Sequence, residues 1–139
     1  MVEEEVREVS KQFYAALNQM LGGDANALIE LWAHTPDATT MHPIGGREVG
    51  WENIKASFER VARSSAGGYV EMTDRLIRIH GDTAYEVGIE HAEFEVAGTP
   101  LTVNSRVTNI FYCINGAWKI IHHHGDMSPG IAEALDKAD

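Results

Sequence analysis

One cysteine, Cys113, stands in a chain of 139 residues. A lone cysteine excludes an internal disulfide and any thiolate metal cluster, and it makes a reducing cytoplasm the expected compartment. Cations are scarce too. Eleven Lys and Arg face 21 Asp and Glu, for a formal net charge of −10. Proteins that grip phosphate backbones or anionic lipid need basic surface, so nucleic acid and membrane are not expected partners. No apolar run is long enough to span a bilayer. The N-terminal "MVEEEVREVS" is acidic where a signal peptide would be basic and then apolar. Repeats, low-complexity tracts and Pro/Gly/Ser linkers are also missing. Residues 1–139 therefore read as one domain with its own core.

What is present falls into two periodicities. Val2, Val6, Val9, Phe13, Leu17, Met20 and Leu21 recur at steps of three and four, the stripe of an amphipathic helix. Glycines end it, and Asp24 is placed to cap a second helix burying Leu28, Leu31 and Trp32. "PDATTMHP" reads as a short strand stopped by Pro43 and Gly45-Gly46. Trp51, Ile54, Phe58 and Val61 mark a third helix, closed by "SSAGG". From Tyr69 the pattern changes to four strands separated by "GD", "AGTP" and "NG", which are hairpin signals. Gly88 is a candidate bulge in the second of them. "SPGIAEALDKA" is a last helix, with Ser128 as cap and Pro129 at its first turn. Helices gathered ahead of an antiparallel meander predict an α+β fold, with a curved sheet wrapped around the helices as an open cone.

Two stretches carry a family pattern. "MHPIGGREVGWENI" joins a strand-His-Pro, a glycine loop and a Gly-Trp that opens a helix. "SRVTNIFYCINGAWKIIHHHGDMS" joins Arg-x-Thr, a turn, Trp-x-Ile-x-His-x-His and a nearby Ser. Together, and in this order along the whole chain, they resemble the SnoaL-like branch of the nuclear transport factor 2-like superfamily. They are similar also to the association domain of calcium/calmodulin-dependent protein kinase II. The resemblance implies a cone-shaped, cystatin-like α+β fold. It implies no single activity, because isomerases, hydrolases, cyclases, dehydratases and binding modules share that fold. Thr108 stands where an epoxide-hydrolase-like Arg-x-Asp would have its aspartate, so neither that mechanism nor the steroid-isomerase one carries over intact.

The His run holds the candidate site. Strand alternation sets Trp118, Ile120, His122 and His124 on one face and Lys119, Ile121 and His123 on the other. Trp118 and Ile120 look like core, so His122 and His124 are expected inside the cone and His123 outside. A two-residue turn at Asn115-Gly116 would put Val107, Asn109 and Phe111 on the His122 face. A three-residue turn with a glycine bulge would put Arg106 and Thr108 there. The resemblance, in which Arg-x-Thr recurs with His-x-His, favours the second. His42 and Trp51 are expected at the opposite rim, with His91 or Glu90 joining from the neighbouring strand. Asp126 continues the His face. His-x-His could present two nitrogens to an ion, with His42 or Asp126 as a third ligand. No metal-ligand spacing appears elsewhere, so neither metal nor cofactor is expected.

These residues define the expected function. A small organic molecule, with a carboxylate as the recognised group, sits in the cone of a homodimer. Arg106 clamps it, and His122 or His124 moves a proton in an isomerisation, dehydration or hydrolysis. His42, Trp51, His91, Thr108 and Asp126 line the pocket. The competing class is a binding or oligomerisation module without turnover, as the kinase association domain implies.

Overall fold

The computed structural model describes residues 1–138. Helix α1 (Val2–Leu21) is followed by a single turn, α2 (Asn26–Ile29). Two short strands come next, β1 (Thr39–Met41) and β2 (Glu48–Val49), and then α3 (Trp51–Ser64). Four strands follow: β3 (Ser65–His80), β4 (Thr83–Val96), β5 (Thr99–Ile114) and β6 (Ala117–Gly125). Helix α4 (Pro129–Ala138) closes the chain. The sheet order is β2-β1-β6-β5-β4-β3. Strands β3 to β6 form the antiparallel meander, while β1 lies parallel to β6.

The predicted apolar stripe of α1 is buried through Val6, Phe13, Leu17, Met20 and Leu21. Glu3, Glu4 and Glu5 lie in its first turn, where negative charge favours the helix dipole. α2 is shorter than expected. Asp24 does accept a hydrogen bond from the Asn26 N–H (2.9 Å), but the helix ends after one turn. Leu28 and Trp32 are nevertheless buried. α3 ends at Ser64, inside "SSAGG", and β3 starts at once at Ser65, ahead of the strand start expected at Tyr69. Burying each large apolar side chain in this core contributes about 1.5–3 kcal/mol.

Two irregularities set the sheet's faces. In β3, Thr73 pairs with Ile89 and Leu76 with Val87, so Asp74 and Arg75 together oppose Gly88. The expected bulge therefore lies in β3, not in the strand that carries the glycine. Gly88 is there because a Cβ would meet the Thr73 carbonyl at 2.9 Å and the Asp74 carbonyl at 3.3 Å. In β6, Phe111 pairs with Ile120 but Ile110 pairs with His122, which leaves Ile121 as an extra residue. The hairpin before it is a two-residue turn, with Asn115 and Gly116 both at positive φ (52° and 82°) and Ile114 opposite Ala117.

A buried acid and two neutral histidines

The bulge at Ile121 decides which histidine faces the core. Before it, Trp118 and Ile120 point inward; after it the parity flips and His123 points inward, 3 % exposed. His122 and His124 lie on the outer face. The expected three-residue turn is corrected to two residues. Arg106 and Thr108 still share a face with His122 and His124, because Thr108 pairs with His124 and Ile110 with His122. That shared face is the outer one.

There Arg106 is committed to Asp126. Its Nε and one terminal nitrogen donate to the two carboxylate oxygens at 2.9 and 3.2 Å, and its backbone N–H adds a third bond. Arg106, Thr108, His124 and Asp126 line a broad groove of about 570 Å³ together with Leu76, Val87 and Ile89. His122 bonds through Nδ1 to the Thr39 hydroxyl at 2.7 Å, and its ring centroid is 6.0 Å from that of His124. Burial, and then the charge of His124, lower the pKa of His122. His91 also faces outward, held by Asn104 at 2.8 Å. Trp51 is buried, stacked between Trp32 (6.4 Å) and His34 (4.6 Å), and does not line the inner cavity. Among the described residues, no three His, Cys, Asp or Glu side chains are grouped to hold a metal ion.

Of the expected pocket residues, His42 lies on the inner side, as does Glu90, the alternative to His91. They line a cavity of about 100 Å³ with His123. Its other walls are apolar: Leu17, Met20 and Leu21 of α1, Phe58 of α3, Val70, Ala92 and Val103 of the sheet, and Ile131 of α4.

Behind the cavity runs a continuous polar chain that the sequence reading did not assemble. The Tyr14 hydroxyl donates to Glu90 Oε2 at 2.7 Å. Asn109 Nδ2 donates to the Tyr14 oxygen (3.2 Å) and to Glu86 Oε1 (2.9 Å). The Ser10 hydroxyl lies 2.8 Å from both Glu86 oxygens. Arg75 Nε approaches Glu86 Oε2 at 2.6 Å as an ion pair, without the alignment of a hydrogen bond. His123 Nδ1 lies 2.6 Å from Asn109 Oδ1, and its Nε2 lies 3.8 Å from Glu90 Oε2. A signal for this chain was in the sequence. Ser10 and Tyr14 interrupt the apolar stripe of α1 four residues apart, and Glu86 and Glu90 are four apart on an alternating strand, so both pairs share a face.

Electrostatics follow from this burial. Loss of hydration, opposed by the Tyr14 hydrogen bond and aided by the Glu86 charge, pushes the Glu90 carboxyl up to about 7. The same cause holds His123 down at about 3, with repulsion from His42 adding to it, and His42 at about 4. Tyr14 is raised well above its ordinary range by burial and by Glu90. Near neutral pH the cavity thus contains two uncharged imidazoles and one carboxyl close to half-ionisation.

The model of the SnoaL-like domain matches residues 6–129. The chain belongs to the SnoaL-like family. Solved structures agree on the fold. A proposed dehydratase of the nuclear transport factor 2-like family from Streptomyces avermitilis is 22% identical, with 91% of this chain and 95% of that one covered and a TM-score of 0.80. A proposed calcium/calmodulin-dependent protein kinase II association domain from Xanthomonas campestris is 23% identical over 90% and 89%, with a TM-score of 0.71. A proposed ketosteroid isomerase from Shewanella frigidimarina is 23% identical over 86% and 92%, with a TM-score of 0.70. No curated protein matches the chain. At these identities the likeness establishes the fold of this SnoaL-like domain, a cystatin-like α+β fold with a curved six-stranded sheet. No helix among the described residues is long and apolar enough to cross a membrane.

Proposed function

We propose that this SnoaL-like domain binds a small, mainly apolar organic molecule in the inner cavity and catalyses a proton transfer there, an isomerisation or a dehydration. The observation that carries this reading is Glu90. It is a buried carboxyl with its pKa near 7, on the wall of an apolar cavity and facing an imidazole nitrogen. A general base works best when its pKa lies near the working pH. As carboxylate, Glu90 takes a proton from a carbon beside a carbonyl, and the C–H electron pair moves toward the carbonyl oxygen. As acid, it returns that proton to a second carbon or to a departing hydroxyl, which leaves as water. His123 orients the ligand. The apolar walls exclude water, which strengthens each of these contacts.

The expected Arg106–His122–His124 site remains a second reading, now at the outer groove, which Arg106 and His124 line while His122 lies beside His124. Its cation is already neutralised by Asp126, and the cavity contains no cation at all, so neither place favours a carboxylate. The outer face also exposes Leu76, Tyr85 and Tyr112 (45%, 37% and 40%), which supports a homodimer through that face. The assembly reading drawn from association domains fits this face without any turnover. Partly buried, unpaired Cys113 is consistent with a reducing cytoplasm.

Deuterium exchange at the carbons flanking the carbonyl of 3-hydroxybutan-2-one, a small uncharged ketone that also carries a hydroxyl, in D2O, followed by NMR, tests the catalytic reading. Exchange above the buffer rate that rises through about pH 7 and is abolished in Glu90→Gln is expected. Exchange that stays at the buffer rate with wild-type protein, or that survives in Glu90→Gln, contradicts it. Light scattering tests the dimer: twice the chain mass for wild type and the monomer mass for Tyr112→Glu are expected, and a wild-type monomer contradicts it.

A further inference from the structure

Glu86 is fully buried and does not line the cavity, so the proposed chemistry gives it no task. Its effect is traced by counting hydrogens. An Asn amide has two donors on Nδ2 and an acceptor on Oδ1. Both Asn109 donors are taken, one by the Glu86 carboxylate and one by the Tyr14 oxygen, whose own hydrogen goes to Glu90. Because Glu86 can only accept, the amide cannot flip. Oδ1 must then face His123, and it can only accept, so His123 Nδ1 carries the ring hydrogen. A neutral imidazole has one N–H, which leaves Nε2 with a bare lone pair beside Glu90. The same count applies to His42. The Ser57 hydroxyl donates to the Ile54 carbonyl (2.7 Å), so it accepts from His42 Nε2–H at 2.8 Å.

We propose that Glu86, acting through Asn109, locks the His123 ring with its Nε2 lone pair toward the cavity, so that the site takes uncharged ligands that donate a hydrogen bond, such as phenols, alcohols and enols. Glu86 is a positioning residue here, since it touches only residues behind the wall. The ligand class follows from what the polar wall offers, an acceptor at His123 and a carboxyl at Glu90 that donates when protonated. A hydroxyl satisfies both at once. A hydrocarbon leaves the lone pair unpaired, and a carboxylate turns its own oxygens on that lone pair with no cation in the cavity to offset its charge. The cavity is smaller than the ~150 Å³ that holds a benzene ring in an engineered apolar core, so a single ring is the upper limit and enters only as the apolar side chains lining it give way.

This inference rests on the cavity being the ligand site, but half of its test needs no ligand. Ring 15N shifts of His123, read by long-range 1H–15N correlation from pH 5 to 8, should show one tautomer with Nδ1–H and unprotonated Nε2. In Glu86→Gln the side-chain amide can also donate, the Asn109 lock is released, and a mixture with Nε2–H should appear. Should Glu86→Gln fail to fold with Arg75 unpaired, the Glu86→Gln/Arg75→Met double variant removes both charges and reads the same signal. NMR titrations at pH 6 with phenol, toluene and benzoate complete the test. Phenol is expected to bind at least fivefold more tightly than toluene, benzoate not at all, and the preference should vanish in the folded variant. A wild-type Nε2–H tautomer, or a variant that keeps the Nδ1–H form, overturns the lock. Toluene or benzoate binding as well as phenol overturns the ligand class. If no probe binds while the tautomer is as expected, the cavity reading fails and takes the ligand class with it, whereas the lock stands.

Discussion

Replacing Glu90 by Gln should change how stability depends on pH more than it changes stability itself. Gln preserves the shape and still accepts the Tyr14 hydroxyl through its amide oxygen, but it cannot ionise. In the native protein burial lifts the Glu90 carboxyl from 4.5 to about 7. The folded state then holds this proton more tightly than the unfolded state does. The resulting stabilisation is fully present below pH 4.5 and is lost as pH rises through about 7. At about 1.4 kcal/mol per pH unit, the swing is about 3 kcal/mol. Urea unfolding of both proteins at pH 4.5, 5.5, 6.5, 7.5 and 8.5 measures it. The variant's stability relative to wild type should climb by about 3 kcal/mol from the lowest pH to the highest, with most of the change between pH 5 and 7. Parallel profiles would mean that Glu90 titrates like an exposed carboxylate, and the reasoning from burial would be refuted.

The remaining predictions probe the neighbours of this site. Folded His123 and His42 have depressed pKa values, about 3 and about 4, so their stabilisation is present above pH 6.5 and is lost as pH falls toward those values. Each should cost about 2 kcal/mol by pH 5, seen as an acid-side loss that is smaller in His42→Gln. His124→Ala, exposed on the outer face, should shift unfolding by no more than about 0.5 kcal/mol in the same assay. Gly88→Ala should destabilise by about 1–3 kcal/mol, because the new methyl meets the bulged β3 backbone; a smaller loss would show that the bulge relaxes freely.

Most of the fold was legible because it is written in period. The α1 stripe, the α3 stripe and the two-residue punctuation of the meander each state their element locally. Faces were harder, because a face depends on every residue between the turn and the site. One extra residue, Ile121, reverses the His run, and no side-chain property of isoleucine announces a bulge. Arg106 and Thr108 share a face with His122 and His124 because the shift lies in the strand, not in the turn. Arg106 facing an acidic neighbour was equally open from sequence, and Asp126, twenty residues on, resolves it. His42 was legible as a strand-end residue because Pro43 follows it, but its inward position depends on how β1 lies beside β6. Glu90 and His91 could not be separated, since adjacent strand residues differ only in parity. The Tyr14–Asn109–Glu86 chain joins α1, β5 and β4, and such contacts are visible only when the helix is laid across the sheet.

The central claim is that the ligand site is the inner cavity and not the outer groove. The most direct test is intermolecular NOEs from a small neutral hydroxy ketone, 3-hydroxybutan-2-one, whose hydroxyl can donate to His123, to the protein's assigned methyl groups. The account predicts contacts with the methyls of Val70, Val103 and Ile131, which line the cavity. Contacts with Leu76, Val87 and Ile89, and none inside, would contradict it and return the site to the face of Arg106 and His124.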